Sequence, residues 1–241
     1  MASTMFHDHG LDDDDKFARV PFISDPAILT RYGILKVPLA DLAPNVSQED
    51  WKHWAQQLSQ VTPEITAGEG DGEYVFYRNI LEEPGFPFSC ILPADAPALE
   101  LIRNRFGFES LHEIRLDDAF CIHYNTEQAD SSGARHMDPS DITINICLEK
   151  AEGTTGSHVL FHGTQDLLGA DERVAAAEND DNEAKPDKFL VSQEEGYATI
   201  HWGHHLHETT PLESGRRTNI VLTYWFTDPN KSDVLSRTCY T

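Results

Sequence analysis

The stretch Gly133–Lys150, GARHMDPSDITINICLEK, changes character in its middle. Its first half is polar and sets His136 and Asp138 one residue apart. Its second half, from Ile142, alternates apolar and polar residues with the two-residue period of a strand that buries one face. A polar pair at a strand mouth is often only a solvated turn, so its meaning depends on what the rest of the chain brings to it. If the pair lies on a strand, side chains at i and i+2 point the same way and present an imidazole and a carboxylate together. Thr143 and Asn145, polar on an otherwise apolar run, share one interior side by the same rule.

Working outward, four more runs read as strands: AFCIHYN (119–125), SHVLFHG (157–163), GYATIHWG (196–203) and RRTNIVLTYWF (216–226). Each shows alternation or β-branched enrichment and is bounded by Gly, Ser or Asp. Before them the period is helical. In NVSQEDWKHWAQQLSQ (45–60), Ser47 and Asp50 have capping-box spacing, and Trp51, Trp54 and Leu58 recur on one face. DAPALELIRNRF (95–106) reads as a second helix with Gly107 as its stop. Helices followed by strands predict a mainly β (α+β) fold with a sandwich or jelly-roll core and no internal repeat. Trp202 reads as a wall or core residue.

Composition narrows the function classes. The 241 residues, 39% apolar, suffice for one large domain, expected over 17–241 with a β core at about 115–228. A formal charge of −23 opposes a phosphate-tracking surface, so no nucleic-acid partner is expected. Part of that charge lies in MASTMFHDHGLDDDDK (1–16), which reads as an expression leader. More lies in the low-hydrophobicity stretch 169–188, read as an acidic insertion between strands. With no signal peptide and no apolar run of membrane-spanning length, a cytoplasmic or nuclear location is expected. The cysteines at 90, 121, 147 and 239 show neither a CxxC pair nor a dense framework and read as buried or idle thiols.

Of the twelve histidines, His201, His204, His205 and His207 crowd one turn ahead of Arg216 and Arg217. Two imidazoles and one carboxylate that leave three positions open form the facial site of non-haem Fe(II) oxygenases. His136 and Asp138 supply two such ligands, and the third must come from the histidine cluster.

At this point the residues resemble a family, the 2-oxoglutarate- and Fe(II)-dependent dioxygenases, and within it the prolyl- and lysyl-hydroxylase branch. HMDPSDITINICLE (136–149) is similar to that branch's HxDxSxxTINIxLN, and HETTPLESGRR (207–217) is similar to its HEGxPxxxGxR. His207 alone in the cluster has Gly at +8 (Gly215) and Arg at +10 (Arg217), with His205 the substitute candidate. The correspondence covers about residues 115–228. It implies a double-stranded β-helix (jelly roll) with N-terminal helices packed outside it. It also implies Fe(II) held by His136, Asp138 and His207, and 2-oxoglutarate anchored by Arg217, whose planar fork suits a carboxylate. Tyr124, twelve residues before His136, stands where the family often places a tyrosine near the co-substrate, and Thr143 and Asn145 are further candidate contacts. Arg216, adjacent on the strand, is expected to face solvent. The implied reaction consumes O2 and 2-oxoglutarate, releases succinate and CO2, and hydroxylates a C–H bond, here of a neutral or basic protein or peptide. Two alternatives stand beside it. One is an AlkB-like nucleic-acid demethylase, disfavoured by charge and by Thr223 where that branch has a second Arg. The other is a catalytically silent metal-binding or interaction module.

Overall fold

A computed structural model describes residues 20–60, 77–128, 131–168 and 185–232 of the protein. The leader-like residues 1–16, Cys239 and the acidic stretch up to residue 184 lie outside the described residues. The strands are β1 (Ile34–Pro38), β2 (Tyr77–Asn79), β3 (Ile114–Asn125), β4 (Gly133–His136), β5 (Ile142–Lys150) and β6 (Thr155–Gly156). After them come β7 (Val159–His162), β8 (Lys188–Val191), β9 (Tyr197–Trp202), β10 (His207–Thr209), β11 (Leu212–Ser214) and β12 (Arg216–Phe226). A major antiparallel sheet has the order β1-β9-β5-β12-β3-β2, a minor one β4-β10-β7-β8, and β11-β6 forms a short ribbon. The two larger sheets face each other as a jelly roll: Phe161 and His207 of the minor sheet contact His201 of the major one through their rings.

Alternation along β5 decides what each face of the major sheet does. Ile142, Ile144, Ile146 and Leu148 join Ile200, Ile220 and Leu222 in the larger apolar core. That face is covered by the helices α2 (Leu39–Leu42), α3 (Gln48–Leu58) and α4 (Leu99–Phe106), whereas the preceding α1 (Pro26–Arg31) packs on the other side. Trp51, Ala55 and Leu58 come from α3, and Ile102 and Phe106 from α4. The opposite face, carrying Thr143, Asn145 and Cys147, looks into the jelly roll. One end of that interior is filled by Ile34, Val159, Phe161, Phe189 and Val191 with Leu29 of α1.

The helices have local causes. Ser47 caps α3 reciprocally with Asp50, as their spacing predicts. Gly107 ends α4 in the left-handed region at φ 73°. This helix starts at Leu99 rather than Asp95, because Pro97 disfavours helical geometry in the residue before it. The five expected strands are present, and shorter ones join them. β1 and β2 widen the major sheet beyond the 115–228 stretch, and Lys188, read as the end of the acidic insertion, opens β8. Among the described residues no helix is long and apolar enough to cross a membrane. Cys121 and Cys147 are buried free thiols and Cys90 is a half-buried one.

Candidate metal centre

The chain brings His136, Asp138 and His207 together, each offering a ligand atom within 4.8 Å of the others. His136 is the last residue of β4 and pairs in register with His207, the first residue of β10. The pair of residues in the 136–138 motif does not share one strand face, as the sequence suggests. Asp138 lies past the strand end, where the chain crosses from the minor sheet towards β5. The crossing is held by backbone: Asp138 N–H donates to Gly203 O and Gly203 N–H to Asp141 O, both at 2.9 Å. A Cβ at residue 203 would run into the carbonyl and hydroxyl of Ser140, so only glycine allows this approach.

Each imidazole is oriented by main chain. His136 Nδ1 lies 2.6 Å from Ala134 O and His207 Nδ1 2.8 Å from His205 O. A carbonyl only accepts, so both Nδ1 atoms donate to main chain and both Nε2 atoms are turned towards Asp138. Those Nε2 atoms face Asp138 Oδ1 at 3.3 and 3.9 Å. The other carboxylate oxygen, Oδ2, accepts from Thr143 Oγ1 at 2.6 Å. The hydrogen bond to Asp138 raises the His136 pKa, whereas burial lowers that of His207. Burial pushes the Asp138 carboxyl up, but the His136 hydrogen bond, the neighbouring imidazoles and Thr143 outweigh it and hold the group ionised. Two imidazole bases and one ionised carboxylate are the donor set a divalent transition metal needs, and His136, half-exposed, leaves the mouth open.

The remaining histidines take other roles. His205, the substitute candidate, bonds Gly163 O through Nε2 at 3.1 Å and packs on Phe161, apart from the ligand set. His204 stacks on Trp202, and Trp202 packs against Phe106 of the helix-side core. His201 lies inside, its ring 5.0 Å from that of His207, with Nδ1 2.9 Å from Trp202 O. Burial takes His201 down to about 3 and His205 to about 4, so both are neutral.

Deeper along β12, Arg217 is 3% exposed, its guanidinium 5.2 Å from the Tyr124 ring centroid. Its Nε has no hydrogen-bond partner, and among the described residues no carboxylate pairs with it. A buried cation without a counter-charge is costly, and it fits an anionic ligand. Arg216 points outward, as expected, but it does have a partner: Glu149, at 2.8 and 3.0 Å. Tyr124 is buried and its hydroxyl donates to Ser132 O at 3.3 Å. The side-chain amides of Asn145 and Asn219 are hydrogen-bonded at 2.6 Å. The Thr143 hydroxyl donates to Asp138. Ser140 and Gly203 were not singled out from sequence. Ser140 stands within the family-like pattern, but the need for Gly203 is a matter of three-dimensional approach alone.

With this geometry in place, comparison with solved structures gives consistent likenesses. The fold is that of the 2-oxoglutarate/Fe(II) oxygenases. An oxidoreductase of that family from Burkholderia pseudomallei superposes with a TM-score of 0.55 at 16% identity, covering 86% of this chain and 95% of that one. SnoN, a non-haem α-ketoglutarate-dependent epimerase from nogalamycin biosynthesis, gives 0.55 at 17%, covering 83% and 81%. HygX from Streptomyces hygroscopicus, solved with nickel and 2-oxoglutarate bound, gives 0.54 at 14%, covering 83% and 85%. No protein-family model and no curated protein sequence matches the chain.

Proposed function

We propose that the protein is an Fe(II)- and 2-oxoglutarate-dependent dioxygenase. The observation that carries this is the presence, inside one jelly roll, of a His136–Asp138–His207 cluster and a buried Arg217 that no carboxylate pairs with among the described residues. The three side chains would hold Fe(II) through two imidazole Nε2 atoms and Asp138 Oδ1. Arg217, stacked on Tyr124, would take the distal carboxylate of 2-oxoglutarate and so gain the counter-charge it lacks. Bound together, iron and 2-oxoglutarate supply the oxidising power from O2, with succinate and CO2 as co-products. The protein's own part is to orient both imidazoles with Nε2 inward, keep Asp138 ionised and keep Arg217 buried.

The motif spacing supports a prolyl- or lysyl-hydroxylase-like outcome on a protein or peptide, neutral or basic in view of the −23 charge. A second reading is favoured by the likeness to SnoN, named as an epimerase of antibiotic biosynthesis: a small-molecule substrate on the same fold. Succinate release from 2-oxoglutarate, measured with Fe(II) alone, with pools of Pro- and Lys-containing peptides, and with small cyclic metabolites, tests both. The expected result is iron-dependent succinate, stimulated by peptide and abolished in His136→Ala, Asp138→Ala and His207→Ala but not in His205→Ala. Stimulation by metabolites alone would favour the second reading. No succinate under any condition would leave a silent module.

A further inference from the structure

Thr143 is 1% exposed and Ser140 2%, and their hydroxyl oxygens lie 2.9 Å apart. Thr143 has one proton, and it is given to Asp138 Oδ2 at 2.6 Å. Ser140 must therefore donate to Thr143, which makes a directed chain from Ser140 through Thr143 to the carboxylate. A buried hydroxyl held in this way costs free energy unless both ends are satisfied, and here the satisfied end is a metal-facing group. The same bond turns Asp138 about its side-chain torsion so that Oδ1, not Oδ2, faces the Nε2 atoms of His136 and His207.

We propose that Thr143, backed by Ser140, is a positioning residue that restricts Asp138 to one metal-facing oxygen. The inference rests on the metal-centre reading above. A carboxylate free to turn both oxygens inward would occupy one of the three positions that a facial site must leave open. Partners of metal ligands typically contribute about 10–100-fold to metal affinity, which sets the scale of the expected effect.

The test uses Co(II), whose visible spectrum reports coordination number, titrated into the chelator-stripped full chain. Wild type should bind Co(II), and Thr143→Val, of nearly equal volume, should bind it roughly 10–100-fold more weakly with a changed spectrum. Thr143→Ser should restore both affinity and spectrum, and Ser140→Ala should shift both in the same direction by less. A Thr143→Val protein that keeps the wild-type spectrum overturns the proposal, as does a Thr143→Ser protein as impaired as the valine variant. Should Thr143→Val not fold, Ser140→Ala decides: a shifted spectrum supports the proposal and an unchanged one overturns it. Failure of wild type itself to bind Co(II) would remove the metal-centre reading, which separates the two failures.

Discussion

At the scale of single residues, Arg216 and Arg217 show how one position along a strand changes a side chain's energetics. Arg216 is exposed and holds Glu149, an ion pair worth about 1 kcal/mol or less in water. Arg217 is buried beside Tyr124 with no carboxylate partner among the described residues, so in the ligand-free protein it is a cost. Two outcomes are expected. Arg217→Gln should weaken 2-oxoglutarate binding by roughly two to three and a half orders of magnitude, since losing the partner of a buried carboxylate costs about 3–5 kcal/mol. Arg216→Gln should leave it nearly unchanged. Arg217→Met should also raise the ligand-free Tm above wild type while losing the Tm increase that 2-oxoglutarate gives wild type. Thermal melts of the three variants with and without 2-oxoglutarate check this; equal ligand responses would remove Arg217 as the anchor.

At the scale of elements, the crossing from β4 to β5 matters most, because it brings His136 and Asp138, neighbours in sequence, into one cluster with His207. It is seated on Gly203, where any side chain meets Ser140 backbone. Gly203→Ala should therefore push the 138–141 segment outward, lowering metal affinity at least as much as loss of Thr143 and reducing Tm. Isothermal titration with Co(II) and a melt of the same sample test it, and unaltered metal binding would show that the crossing can shift without moving Asp138. This crossing also marks the limit of what was legible in the sequence. β5, β9 and β12 declared themselves because one face of each is buried and alternation is strong, as in Ile142, Ile144 and Ile146 against Thr143 and Asn145. β4 and β10 are three or four residues long and polar, with partners set by the opposing strand, so no local pattern announces them. The clustering residues His136, Asp138 and His207 were legible through spacing and family likeness. Their second partners, Ala134 O, His205 O and the Ser140–Thr143 chain, depend on contacts across the fold and were not.

At the scale of the whole molecule, the interior carries more imidazole than a core usually does, and this couples stability to pH. His201 and His205 are held neutral by burial, down to about 3 and about 4. In the unfolded chain an imidazole takes its proton near pH 6.5, so below that the unfolded state binds more protons. The stabilisation is fully present above about pH 6.5. It is lost as pH falls towards the folded values, at about 1.4 kcal/mol per pH unit for each histidine. Urea unfolding of metal-free protein at about pH 7 and about pH 5.5 should show this loss, and His205→Phe should show a smaller one. The same drop in both proteins would exclude His205. The net charge of −23 has its own test: if the substrate is a basic peptide, its KM should rise with added salt. A KM indifferent to salt would point to a neutral ligand. Finally, β12 sits between β5 and β3 in the major sheet although both precede it in the chain. During synthesis the two flanking strands emerge with a gap between them, their edges unpaired until residues 216–226 arrive to fill it. The nascent chain thus depends on a late insertion, and the strand that closes the sheet also delivers Arg217, so sheet closure and this buried cation arrive in a single event.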